Sequence, residues 1–271
     1  MDLLEEFIIY MKELEKSSKT IDAYIRDIRQ FLEIIKKPIE DIKKSDIIYY
    51  KEELTKRRLK PTSINRKLIS IRQFLKFLEK DINFRNVKIQ KKNYIDDEKM
   101  LTLEDVEKLA EVARQNHDRR TLAIIYTLLY TGMRISELLS LRVEDIYNDT
   151  ILVKGKGKKY RDVFIPEKLR PYLESYLRVR KNTGDKLFTG QRGNLTRATV
   201  NNILKKYAKK AGINPKKVHP HNFRHLYCLT LVDKGLPLDV IADLAGHADI
   251  NTTRIYTRRT KRQLLETINS I

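Results

Sequence analysis

Tyr256 sits among Thr252, Thr253, Arg254, Thr257, Arg258 and Arg259, a polar and cationic neighbourhood. Upstream of it lie His247 in Leu-Ala-Gly-His, and Arg224 and His221 in His-Asn-Phe-Arg-His. Earlier still come the turn Gly155-Lys156-Gly157-Lys158-Lys159 and Arg134 in Thr-Gly-Met-Arg-Ile-Ser-Glu-Leu. A guanidinium fork grips phosphate oxygens in pairs. Histidine moves protons near neutral pH, and a phenol becomes a nucleophile once its proton is drawn away. Two arginines, two histidines and a lysine around one tyrosine therefore suit attack on a phosphodiester. The chain has 14 tyrosines, so it is the setting of Tyr256, not its type, that singles it out.

Each motif also has a plainer reading. Arg134 follows the Gly132 stop near the start of a helix, where dipole and fork both favour phosphate; the plain alternative is a surface ion pair with Glu137 one turn on. His221 and Arg224 are three apart, hence on one helical face, and Pro220 suits the first helical position. His225, at i+4 from His221, could complete a zinc pair, but metalloprotease helices need Glu where Asn222 stands and no acidic third ligand is near in sequence. A packed histidine is the better reading of His225. The glycine-lysine turn lacks P-loop spacing and joins two strands; it is either a solvated turn or a basic hairpin able to enter a DNA groove. His247 follows Gly246, a helix C-terminal stop, and Asp249 or Asn251 can cap a short helix carrying Tyr256.

Charge narrows the partner. Lys and Arg number 56 against 36 Asp and Glu in 271 residues, a net +20, which favours a polyanion: nucleic acid first, an acidic membrane surface second. The single cysteine, Cys228, excludes an intramolecular disulfide framework and a cysteine-based zinc site. No long uncharged apolar run or signal-peptide pattern occurs, so a cytoplasmic protein without a membrane partner is expected.

The elements that must position these residues are mostly helical. Leu3 to Met11, Ile21 to Leu32, Ser45 to Arg57 and a stretch opened by Pro61 carry helical apolar stripes, a compact four-helix unit. Ser18 or Thr20 can cap its second helix. Arg66, Lys67 and Arg72 give the fourth helix a cationic polar face. Periodicity fails from Lys80 to Met100, as in a linker. Thr102 then opens a capping-box helix, Leu122 to Leu129 is a core helix, and Ile151 to Val153 with Arg161 to Ile165 form two strands. Helices follow over Glu167 to Arg180, Thr196 to Ala211, Asn222 to Lys234 and Leu238 to Leu244. The expected fold is mainly α with a small antiparallel β-sheet, in two domains: 1–82 helical, 83–100 linker, 101–258 catalytic, and 259–271 a tail helix. Leu264, Leu265, Ile268 and Ile271 give that tail one apolar face.

The motifs together resemble the tyrosine site-specific recombinases (the phage integrase family), closely their Xer branch. The strings that carry the resemblance are TGMRISELLSL (131–141), GKGKKYR (155–161), HNFRH (221–225) and LAGHADINTTRIYT (244–257). In the N-terminal part they are SKTIDAYIRDIRQFL (18–32) and INRKLISIRQFLKFL (64–78), so nearly the whole chain is covered. Departures are Ala245 where Leu-Gly-His is usual, and extra lysines in the hairpin.

The resemblance implies a SAM-like core-binding domain and a catalytic domain in which Tyr256 forms a 3′-phosphotyrosine and frees a 5′-hydroxyl. It further implies that Arg134 and Arg224 clamp the phosphate, Lys156 protonates the leaving oxygen, His221 accepts the tyrosine proton and His247 donates to the phosphate. Gly-Lys-Gly alignment selects Lys156, with Lys154 and Lys158 in reserve. No metal or nucleotide cofactor is implied. The partners implied are double-stranded DNA, a tetramer on two DNA sites, and a second recombinase or a DNA translocase. The role would be chromosome-dimer resolution at a dif-like site. Alternatives are a mobile-element integrase, a type IB topoisomerase and a non-catalytic architectural DNA-binding protein; the full set of six residues argues against the last.

Overall fold

The computed structural model describes residues 2–89, 97–154, 160–181, 184–190 and 193–246, together with Thr253, Leu265, Ile268 and Asn269. The chain divides into two compact units, residues 1–91 and 92–271.

The first unit holds α1 (Leu3–Glu13), α2 (Ser18–Ile35), α3 (Lys44–Lys56) and α4 (Pro61–Phe77). Their apolar stripes meet in a core around Phe7, Ile28, Phe31, Tyr50, Leu68 and Phe74. Pro61 opens α4, where its missing N–H costs nothing. The cap of α2 is Ser17 and not Ser18 or Thr20: its Oγ accepts from the Thr20 N–H at 3.3 Å, and the Thr20 hydroxyl reinforces it at 2.9 Å.

The cationic face expected on α4 is largely engaged within the unit. Asp27 on α2 is buried, and both Arg66 terminal nitrogens grip it at 2.8 and 2.9 Å; Lys67 adds a bond at 2.9 Å and Ser70 one at 2.8 Å. Burial pushes the Asp27 carboxyl up, but these donors, Lys67 and Arg66 foremost, bring it below the usual range. Arg72 bonds the Phe84 carbonyl and stacks over the Phe84 ring at 4.7 Å. Arg66 still leaves 53% of its side chain exposed. Nor is the described start of the aperiodic stretch after α4, up to residue 89, without anchors. Phe84 is buried in the first core, and Asn65 brackets Val87 through both its N–H and its carbonyl at 2.8 and 2.9 Å. Alternation and helical periodicity miss such a segment because single side chains hold it down.

The second unit is built on α6 (Arg119–Thr131), whose residues Ala123 to Leu129 are all buried. It packs against α5 (Leu103–Gln115), α8 (Arg170–Leu177) and α10 (Pro220–Asp233). Between α6 and α8 come the short α7 (Ile135–Leu138) and an antiparallel pair, β1 (Thr150–Lys154) with β2 (Tyr160–Phe164). Ile151 pairs with Val163 and both are buried, whereas Leu152 and Phe164 face outward. The helix expected from Glu167 to Arg180 is a 3-10 turn (Glu167–Leu169) followed by the shorter α8, because Pro171 lacks the N–H that a continuing α-helix needs. A second, two-residue pair, β3 (Thr189–Gly190) and β4 (Gly193–Asn194), is too short to leave a period in the sequence. Then follow α9 (Arg197–Lys210), α10 and α11 (Leu238–Ala245).

Candidate active site

Four helix ends meet in the second unit. α6 stops at Gly132, which adopts φ +57°, and a Cβ there would lie 2.3 Å from the Tyr227 ring of α10. The chain then turns so that Arg134 caps α7. Pro220 opens α10, placing His221 and Arg224 in its first turns. α11 ends at Gly246, φ +64°.

The last carbonyls of a helix have no partner within it and carry its negative pole. At the end of α11 three successive carbonyls are each taken by a different arginine. Arg161 of β2 donates to Leu244 O at 2.8 Å, Arg224 of α10 to Ala245 O, and Arg134 to Gly246 O at 2.7 Å. Arg224 is buried and also bonds Gly132 O at 2.9 Å, tying the end of α6 to the end of α11. Two guanidiniums expected to clamp one phosphate are thus registered on adjacent peptide units, directly ahead of His247 in sequence.

Glu137 completes this frame. The sequence suggested a surface ion pair with Arg134, but Glu137 is only 1% exposed. Its Oε1 accepts from the Arg134 side chain at 2.7 Å, and its Oε2 accepts from the Arg134 backbone N–H at 2.9 Å and from Arg161 at 2.8 Å. Burial pushes its carboxyl up; the bond and charge of Arg161, then the backbone and side-chain hydrogen bonds of Arg134, carry it below the usual range. Glu137 is therefore a buried carboxylate compensated by two arginines. The remaining donors of Arg134, whose side chain is partly exposed, meet no partner among the described residues.

His221 is solvent-exposed by surface area, yet desolvation by the groups packed around its ring lowers its pKa first, and the charges of Arg224 and then Arg134 lower it further. It therefore shares the field of both arginines and is neutral at pH 7, the form that accepts a proton. His225, one turn on, is pushed down to about 4 by burial and by His221, as fits a packed histidine. Among the described residues no three His, Cys, Asp or Glu side chains gather where one ion could sit.

Of the six residues singled out in the sequence, Arg134, His221 and Arg224 come together here. Lys156, His247 and Tyr256 lie outside the described residues, as does Lys158; Lys154 ends β1 opposite Tyr160. Thr253, three residues before Tyr256, is helical and buried. Sequence reasoning did not single out Arg161 or the burial of Glu137. A signal for Arg161 existed: it alternates with Val163 on β2 and so points to the packed face of the strand.

Comparison with known proteins agrees over the whole chain. Residues 99–263 match the model of the phage integrase family, and residues 4–81 match the phage integrase N-terminal SAM-like domain. A tyrosine recombinase of Pseudothermotoga lettingae is 34% identical over 99% of this chain and 98% of its own. Tyrosine recombinase XerA of Pyrococcus furiosus is 36% identical over 98% of this chain and 93% of its own. A crystal structure of a XerA recombinase, 30% identical, covers 99% of this chain and 97% of its own with a TM-score of 0.56. The XerH recombinase in a pre-cleavage complex with difH is 26% identical, covering 92% of this chain and 78% of its own with a TM-score of 0.72. The chain belongs to the phage integrase family: it is a site-specific tyrosine recombinase, an enzyme that cuts and rejoins DNA.

Proposed function

We propose that this recombinase works as an Xer-type enzyme in the cytoplasm, resolving chromosome dimers at a dif-like site in double-stranded DNA. Residues 1–82 grip the duplex, 101–258 carry the chemistry, and 259–271 contact a neighbouring protomer. The observation that carries the reading is the convergence of Arg134 and Arg224 on consecutive carbonyls at the end of α11, beside a neutral His221.

Tyr256 attacks the scissile phosphate and forms a 3′-phosphotyrosine. A phenol of pKa ~10 is ionised about one part in a thousand at pH 7. His221 therefore takes its proton, and nearby cations favour the phenolate. Arg134 and Arg224 hold the non-bridging oxygens as negative charge builds on them, donors of the kind worth ~10²–10³ in rate. His247 adds a further hydrogen bond, and Lys156 delivers a proton to the departing 5′-oxygen, an effect of ~10²–10⁴. The phosphotyrosine bond conserves the energy needed for rejoining, so the cycle calls for no metal or nucleotide.

Four protomers on two sites, acting alone or with a second recombinase or a DNA translocase, complete the exchange. Of the apolar tail face, Leu265 is 60% exposed and Ile268 64% exposed, which favours docking on a neighbour; Leu264 and Ile271 lie outside the described residues.

The test is covalent trapping on nicked substrates carrying candidate chromosomal sites. Wild-type protein should form a protein–DNA adduct, and Tyr256→Phe should bind the same DNA and form none. Wild-type adduct levels in Tyr256→Phe would move the nucleophile elsewhere. Adducts confined to the ends of a resident mobile element would replace the chromosomal role with that of an integrase.

A further inference from the structure

Arg161 is the third guanidinium on the α11 terminus and the only one of the three that has no role in the reaction just described. It stands on β2 opposite Val153, with its side chain 10% exposed, and it joins three elements. One terminal nitrogen bonds Glu137 Oε2 at 2.8 Å and the other bonds Leu244 O at 2.8 Å. Its Cδ and Nε run so close under Gly246 that a Cβ there would lie 2.0 and 2.7 Å from them.

Glu137 has two oxygens and serves two arginines. Arg134 alone can turn with the carboxylate about its own short helix. With Arg161 fixed on a strand and gripping the same carboxylate, that rotation is blocked, and the Arg134 fork has one direction left to point. The strand also anchors the α11 terminus, whose Gly246 carbonyl holds the other Arg134 nitrogen.

We propose that Arg161 is a positioning residue for DNA cleavage: through Glu137 and the end of α11 it fixes the direction in which Arg134 presents its free donors to the scissile phosphate. The inference rests on the assignment of Arg134 to that phosphate. Arg161 itself touches no reacting atom. Its charge further keeps Glu137 ionised in a buried site, so that Arg134 always faces a full acceptor.

The experiment measures single-turnover cleavage at saturating DNA alongside the Kd for a single site. Arg161→Ala should slow cleavage by roughly 10², the scale of a misplaced reacting or clamping group, while Kd changes by less than about threefold, since phosphate contacts elsewhere dominate affinity. Arg161→Lys keeps the charge but spans Glu137 and Leu244 O poorly, so its rate should fall between the two. The loss should persist on DNA with a 5′-bridging phosphorothiolate, whose sulfur leaves without protonation. Glu137→Gln should slow cleavage too, and the double variant should lose less than the product of the two single losses.

A wild-type cleavage rate in a folded Arg161→Ala overturns the inference. So does rescue by the phosphorothiolate, which would place Arg161 behind the leaving-group proton and not behind Arg134. If Arg161→Ala does not fold, the same two readouts on Arg161→Lys decide. Absence of any adduct in the wild-type protein would instead sink the site assignment, irrespective of residue 161.

Discussion

Gly246→Ala separates backbone strain from the close approach of Arg161. Gly246 and Gly212 share the left-handed backbone, φ +64° and φ +67°, and both follow helices of the second unit. A Cβ at Gly212 would meet nothing within 4 Å, whereas one at Gly246 would lie 2.0 Å from Arg161 Cδ. An L side chain in this conformation costs roughly 1–2 kcal/mol, so Gly212→Ala should lose about 1 kcal/mol once the stiffer unfolded chain is counted. Gly246→Ala carries the same cost and must also displace Arg161 by more than an ångström, breaking its bonds to Leu244 O and Glu137. Hydrogen bonds of charged groups contribute about 1.5–3 kcal/mol each. A total near 4 kcal/mol follows even if water recovers part of the loss. For a unit of this size 1 kcal/mol moves Tm by ~2–4 °C. Calorimetry of the full chain should therefore show the second-unit transition falling a few degrees in Gly212→Ala and roughly 8–16 °C in Gly246→Ala. Adduct formation at a temperature where both variants are folded should be normal in the first and depressed in the second. Equal Tm losses would show that strain alone acts, and that the Arg161 contact contributes nothing.

Three further outcomes are expected. Lys156→Ala should cripple cleavage of ordinary DNA but far less that of 5′-bridging phosphorothiolate DNA, and the same comparison at Lys154 and Lys158 identifies the acting lysine; equal loss on both substrates would make Lys156 a phosphate binder. His225 is held down to about 4 in the folded chain against an ordinary 6.5, so the unfolded chain takes up a proton that the folded one refuses. Its contribution is intact above pH 6.5 and is lost as pH falls towards 4, at up to ~1.4 kcal/mol per pH unit before screening; urea titrations of His225→Gln should show a flatter stability profile between pH 6.5 and 4.5 than wild type, and an unchanged slope would contradict the burial. Deleting residues 262–271 should leave a folded protein that binds one site yet loses two-site recombination, whereas a lowered monomer Tm would put the tail on its own domain.

What the sequence revealed and what it withheld divide along one physical line. Amphipathic helices such as α4, opened by Pro61, and α5, capped by Thr102, and the alternating β1–β2 pair were legible because each repeats its signal over several residues. So were Arg134, His221 and Arg224, because glycine and proline stops fix them at helix ends. The frame that aligns them was not legible. It consists of carbonyls at Leu244, Ala245 and Gly246, which every residue type supplies, and of bonds spanning up to 112 residues of chain. The same holds in the first unit, where buried Asp27 engages Arg66 and Lys67 on another helix and turns an apparently solvated basic face partly inward. Charge counted along a chain cannot tell a donor facing solvent from one already gripping a buried carboxylate. The distinction bears directly on the proposed role: Arg134, still partly open to solvent, is the donor proposed to reach for a phosphate while Glu137 and the Gly246 carbonyl hold its other side. The internal ion pair and the proposed phosphate clamp are therefore simultaneous uses of two sides of one guanidinium. Glycine at 246 is what lets Arg161 lie close enough to hold that arrangement together.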